Sequence, residues 1–219
     1  MTDSLEPLVR RVEEALPRAQ FTRLVRAVRA LKAERLRATY QTTFWYPLNG
    51  KPTNCVEQAI EALRCRVPQE RVVGVEWWLS RMRTTDVRVD FHQDRDEVLA
   101  QQTGALRHPV VSSILFLNSL RRGGLLAVTR ALPDESNPAC APSELDWDLV
   151  SPKPNRFIWF DGQLTHGVLD ANNAVPSQRL PGTGELRLTV IANWWDRRPR
   201  EVPMFGESRA YRSLGPPEG

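Results

Sequence analysis

A chain of 219 residues with 41% hydrophobic and 26% charged side chains can fill one buried core under a solvated surface, which excludes a disordered polar chain. No apolar run approaches the roughly 18 residues of a membrane-spanning helix, and the first residues lack an apolar stretch with a small-residue cleavage site, so a cytoplasmic protein is expected. The net charge of +4 comes from arginine, since only Lys32, Lys51 and Lys153 are lysine, but the arginines are scattered among acids and do not form a basic stripe for nucleic acid.

Cysteine usage points the same way. Cys55, Cys65 and Cys140 are odd in number and show no CxxC spacing, which argues against a disulfide framework. Cys55 and Cys65 are expected to pack in or beside a helix.

In chain order, the first 38 residues read as helix. Leu5, Leu8, Val9, Val12 and Leu16 recur at helical spacing, with Ser4 as a candidate cap. Pro17 breaks the pattern, which resumes at Phe21, Leu24, Val25, Val28 and Leu31, with Arg23, Arg26 and Arg29 on the solvated face. Residues 42–54 read as a short strand or loop and then a turn-rich loop. Asn54 is a candidate N-cap with Glu57 completing a capping box, and Val56, Ala59, Ile60 and Leu63 give the following helix one apolar face to about Arg66.

From residue 71 the pattern becomes strand-like. "RVVGVEWWL" is rich in β-formers, and Val87, Val89 and Phe91 alternate with Arg88, Asp90 and His92. "SSILFLNS" and "LLAVTR" read as strands joined in a hairpin through Arg121-Arg122-Gly123-Gly124. "RFIWF" and "LTHGVL" read as a second hairpin around Asp161-Gly162, and "LRLTVIANWW" as a long last strand. Loops 130–147 and 170–184 carry Pro and Gly and are candidate lids. The tail from Arg197 is expected to be poorly ordered at its end. In the pairs Trp77-Trp78 and Trp194-Trp195, alternation predicts one core-facing and one outward indole each. Helices followed by about eight short strands give an α+β layout dominated by a sandwich or barrel.

Only three histidines are present, His92, His108 and His166. On a strand, residues two apart share a face, so His92 and Asp94 point together, opposite Val87, Val89 and Phe91. A second histidine would complete a 2-His-1-carboxylate set, which leaves three positions of an octahedral Fe(II) open. His166, on a short strand, is the better candidate; His108, in a loop before Pro109, is the other. Arg187 opens the last strand with Thr189 two residues on, a guanidinium fork plus hydroxyl suited to grip a carboxylate. Asp96 reads as a loop acid, with support of Asp94 or Arg95 as the alternative.

The order "HQD" at 92–94, "THG" around His166 and "RLT" at 187–189 resembles the Fe(II)- and 2-oxoglutarate-dependent dioxygenases over about residues 71–196. The resemblance implies a double-stranded β-helix (jelly-roll, cupin-like) core, with the N-terminal helices packed on one sheet. It implies one domain over 1–219: a helical part at 1–66, the core at 71–196 and a tail at 197–219. It also implies Fe(II) on His92, Asp94 and His166, and 2-oxoglutarate held through its distal carboxylate by Arg187 with Thr189. O2 is the second cosubstrate, and succinate and CO2 are released as a small molecule, amino acid or peptide is hydroxylated. Many members have a tyrosine on the second core strand; here that strand offers Phe116 and Asn118, so that contact stays unassigned. Asp94 argues against halogenation, whose enzymes leave that position open for halide. The alternatives are a cupin-like metal-binding barrel without 2-oxoglutarate chemistry, which would not require Arg187 and Thr189, and a nucleic-acid module using the arginine-rich helices.

Overall fold

The structure is a computed structural model that describes residues 6–31, 42–68, 70–132, 147–208 and 211–215. Ser4, Leu5, Cys140 and most of loop 130–147 lie outside the described residues.

Among the described residues, nine strands form two antiparallel sheets. They are β1 (Arg10–Val12), β2 (Phe44–Pro47), β3 (Gly74–Arg83), β4 (Val111–Phe116), β5 (Leu126–Thr129), β6 (Asp148–Val150), β7 (Phe157–Asp161), β8 (Thr165–Val168) and β9 (Leu186–Trp195). The larger sheet has the order β1-β7-β4-β9-β3-β2, the smaller β6-β5-β8. A single bridge, His92↔His166, adds the segment around residue 92 to the free side of β8. From β3 onward the chain shuttles between sheets: β3 large, His92 small, β4 large, β5 and β6 small, β7 large, β8 small, β9 large.

Side-chain alternation gives the large sheet two different faces. Val75, Trp77, Leu79, Leu115, Leu188, Val190, Ala192 and Trp194 face a helical layer made of α1 (Arg18–Ala30) and α2 (Cys55–Leu63). α1 contributes Leu24 and Val28, while Arg23, Arg26 and Arg29 stay exposed, as the spacing requires. α2 contributes Val56, Ala59, Ile60 and Leu63. The opposite face meets the small sheet: Ile114, Phe116, Ile158 and Phe160 pack against Leu126, Val128 and Val150.

Several expectations are corrected. Residues 10–12 form β1 rather than helix; the strand pairs with β7, and the Asn155 side chain clamps the Leu16 backbone at both N–H and C=O (3.0 and 2.8 Å). Asn54 caps α2 as expected, but the Glu57 carboxylate returns to the Thr53 N–H and hydroxyl, not to Asn54. Neither proposed hairpin exists, because β4 and β5, and likewise β7 and β8, lie in different sheets. Gly123 and Gly124, with φ of +71° and +68°, turn the chain across the gap; a Cβ at Gly123 would sit 2.3 Å from the Asp170 carbonyl oxygen. Residues 87–91 join no ladder; the chain turns at Arg83↔Asp86, the Phe91 ring lies against Gly167 of β8, and the backbone bridge to β8 is made at His92.

The end of the tail, residues 216–219, lies outside the described residues, while the part before it is anchored. Val202, Tyr211 and Leu214 are buried, and Met204 bridges Trp45. Val202 and Trp45 cover Trp195, so both indoles of the second tryptophan pair are buried, whereas Trp78 of the first is half-buried. Cys55 lies half-buried on α2 and Cys65 is exposed just beyond it. Helix α3 (Glu97–Thr103) went unread because it buries no residue and so shows no apolar period.

Candidate metal centre

The His92↔His166 bridge places two imidazoles side by side at one mouth of the gap between the sheets. Their backbones exchange hydrogen bonds of 3.0 and 2.9 Å, and the ring centroids lie 4.6 Å apart. Asp94, two residues on, turns its carboxylate between them: Oδ1 is 3.5 Å from His92 Nε2 and Oδ2 is 3.5 Å from His166 Nε2. One ligand atom from each residue lies within 4.8 Å of the others. Phe160 of the large sheet meets the His166 ring edge-on at 5.1 Å and walls the site on its inner side.

The hydrogen bonds decide which nitrogen is available. His92 Nδ1 lies 2.8 Å from the Asp90 carbonyl oxygen and His166 Nδ1 lies 3.1 Å from that of Leu164. A carbonyl only accepts, so each Nδ1 carries the proton and each Nε2 presents its lone pair toward Asp94. Two neutral imidazoles and one carboxylate are a donor set that fits a divalent first-row metal with open positions. Electrostatics agree at Asp94 and His166. Burial pushes the Asp94 carboxyl up, but His166, His92 and the Ser112 hydroxyl together hold it well below the usual carboxylate range. Burial lowers the His166 imidazole below its ordinary value, which keeps it neutral. Burial also acts to lower His92, yet Asp94 and the Asp90 carbonyl outweigh it and raise that imidazole.

Neighbouring side chains hold Asp94 in place. Ser112 on β4 donates to Oδ2 at 2.9 Å. Replacing Ser112 by alanine should weaken divalent-metal affinity by about tenfold, the common effect of removing a ligand's supporting hydrogen bond, as measured by competition with a chromophoric chelator. His108, the other candidate ligand, is not in the cluster; its Nδ1 donates to the Asp94 carbonyl oxygen at 2.8 Å and pins the backbone of that residue. Asp96 is buried rather than a solvated loop acid: it caps α3 through Leu99 N–H and accepts the Arg200 N–H, tying the metal segment to the tail.

Arg187 and Thr189 share the inner face of β9, both 1% exposed, with Nη1 3.5 Å from the Thr189 hydroxyl. The guanidinium also donates from Nε to the Gly124 carbonyl at 3.1 Å and lies 5.2 Å from the centroid of the Phe116 ring. Phe116 therefore supports the arginine by a cation–π contact. Asn118 instead stitches β9, accepting the Leu188 N–H and donating to the Leu186 carbonyl. Loop 170–184 covers this end of the sheet, with Ala171 N–H on Thr84 and Leu180 N–H on Thr85.

Glu76 on β3 lies on the same inner face, as the cross-strand partner of Asn193. Burial first, then the Asp94 charge, pushes its carboxyl up to about 7, against the lowering by hydrogen bonds from Thr43 and Trp195. A carboxyl raised from 4.5 to about 7 on folding favours the folded state while protonated, and that stability is lost as pH climbs through this window. Glu76→Gln should therefore flatten the decline in the metal-free protein's melting temperature between about pH 5 and pH 8 and melt higher than wild type at about pH 8.

The resemblance seen in the sequence is met at this site, since the HxD pair and the distal histidine, 72 residues beyond Asp94 in the chain, converge in space. Among the described residues no helix is long and apolar enough to cross a membrane. No protein-family model and no curated protein matches the chain. Among solved structures, a Pseudomonas putida prolyl-4-hydroxylase is similar at 18% identity and a TM-score of 0.49, over 88% of this chain and 90% of that one. A structure from work on prolyl 4-hydroxylases of Phytophthora capsici is similar at 12% identity and a TM-score of 0.46, over 93% of this chain and 62% of that one.

Proposed function

We propose that the protein is an Fe(II)- and 2-oxoglutarate-dependent oxygenase that hydroxylates a small molecule, amino acid or peptide. The observation that carries this reading is the convergence of His92 Nε2, Asp94 and His166 Nε2, with both Nδ1 protons tied to backbone carbonyls. The shuttling of the chain between two sheets supports a double-stranded β-helix core, with β3, β9, β4 and β7 in one sheet and the His92 segment, β8, β5 and β6 in the other. The whole chain is then one domain, with α1 and α2 backing the larger sheet.

His92, Asp94 and His166 would hold Fe(II), leaving positions for 2-oxoglutarate and O2. With the cosubstrates bound, the metal supplies an oxidant able to abstract hydrogen from an unactivated carbon, while 2-oxoglutarate leaves as succinate and CO2. The chain's own contribution is geometric and electrostatic. Ser112 and His108 hold Asp94 still, and the two backbone carbonyls fix the imidazole tautomers. Arg187, kept cationic and oriented by Gly124, Phe116 and Thr189, would receive the distal carboxylate of 2-oxoglutarate in a water-poor gap, where a charge-assisted fork is strongest.

The test is oxygen consumption by the Fe(II)-loaded protein. Uptake that depends on 2-oxoglutarate and forms succinate one-to-one supports the reading. Metal binding without any 2-oxoglutarate-dependent uptake would leave the cupin-like barrel, for which Arg187 and Thr189 have no task.

A further inference from the structure

The inner face of the larger sheet carries a second polar feature in the same row as Ser112. Glu76, Asn193 and Ser112 are cross-strand partners on β3, β9 and β4, so their side chains leave the sheet on one side. Two strand spacings, roughly 10 Å, separate the ends of this row. Ser112 finishes it by binding Asp94. The other two residues are acceptors short of donors. Asn193 is 1% exposed and its Oδ1 has no hydrogen-bond partner. The half-buried Glu76 carboxyl is held by neutral donors, the Trp195 indole N–H at 3.1 Å and the Thr43 side chain, and among the described residues the charges named as acting on it, Asp94 and Asp96, are both negative.

A buried carbonyl oxygen without a donor costs stability, and so does ionising Glu76 beside two anions. One ligand group relieves both at once: a positively charged nitrogen carrying several N–H donors. Trp78, half-buried two residues along β3 on the same face, adds an aromatic wall beside that position, and Ile191 and Ile114 make the adjoining row apolar. We propose that Glu76 and Asn193 form the recognition point for an alkylammonium group of the substrate, next to the metal triad. This rests on the triad being the oxidising centre, and it names the substrate class as amines whose reacting carbon is separated from the nitrogen by a chain of several bonds.

The test uses the full chain loaded with Zn(II), labelled with 15N and titrated with n-butylammonium, butan-1-ol or butyrate. The Trp195 indole N–H, which donates to Glu76, is the reporter. A saturable shift with butylammonium is expected, at an affinity at least about tenfold above that of butan-1-ol, and Glu76→Gln should reduce it by at least about tenfold. Asn193→Leu, which removes the acceptor at similar volume, should weaken it as well. Equal affinity for butan-1-ol, absence of a saturable shift, or unchanged affinity in Glu76→Gln would overturn the proposal. If Glu76→Gln does not fold, the wild-type contrast between probes and the Asn193→Leu titration decide it. None of these titrations requires turnover. Amine binding without 2-oxoglutarate-dependent oxygen uptake keeps the subsite and removes the oxygenase reading; uptake without amine binding removes the subsite alone.

Discussion

His166→Ala should abolish succinate formation while leaving the far-ultraviolet circular dichroism of the protein unchanged. Nε2 of His166 faces Asp94 and its Nδ1 is occupied by a carbonyl, so the ring's exposed chemistry is directed wholly at the cluster. A protein metal site worth about 10–16 kcal/mol over four ligands loses about 3–4 kcal/mol per ligand, or roughly 100- to 1000-fold in affinity. The alanine leaves Phe160 and Phe91 to hold that end of the gap, so loss of metal, not loss of fold, is the expected cause. His108→Ala should behave differently. It removes a hydrogen bond to the Asp94 carbonyl, so metal affinity should fall by only about tenfold and activity should return at higher Fe(II). Full activity in His166→Ala together with none in His108→Ala would contradict this assignment of the third ligand.

The second large effect is expected at Arg187. Arg187→Gln keeps a planar polar group but removes the charge, and should raise the KM for 2-oxoglutarate far more than it lowers kcat. Truncating one partner of a desolvated charge pair costs about 2–5 kcal/mol, so an increase of at least about 30-fold is expected. The specific signature is the split between KM and kcat, read by following succinate at increasing 2-oxoglutarate. An Arg187 that only stitched the sheets together would instead lower the melting temperature and leave KM unchanged. Thr189→Val should act in the same direction and more weakly, since it removes one hydroxyl 3.5 Å from the guanidinium.

The parts of this molecule that were readable in the sequence are those set by local pattern. Asn54 caps its helix, Leu24 and Val28 face inward, and Arg187 and Thr189 share a face because strand parity requires it. The HxD pair was readable from spacing, although not for the expected reason: residues 87–91 join no ladder, and a single bridge at His92 brings it to His166. What failed depended on which sheet a strand joins. A turn such as Arg121–Gly124 or Asp161–Gly162 has the composition of a hairpin whether its strands pair or part, and here both lead across the gap. Helix α3 had readable boundaries all along, with Asp96 as N-cap and Gly104 in the left-handed region at φ +73°, but no apolar face to draw attention to them.

The supporting residues were unreadable for the same reason. Ser112 reaches Asp94 and Glu76 sits beside Asn193 only through the β3–β9–β4 register, which no local stretch encodes. Asp96 looked like one more acid in "QDRDE", yet its burial depends on the tail returning to place the Arg200 N–H against it. The extra burial of Trp195 has the same origin, since Val202 arrives from beyond the last strand.

The most direct measurement of the central claim is the visible spectrum of the protein under anaerobic conditions with Fe(II) and 2-oxoglutarate. Chelation of the metal by a 2-oxo acid requires the His92–Asp94–His166 set to leave adjacent positions open. The account predicts a metal-to-ligand charge-transfer band that appears only with both components and is absent in His166→Ala. Iron bound at the site with no such band at saturating 2-oxoglutarate would contradict it.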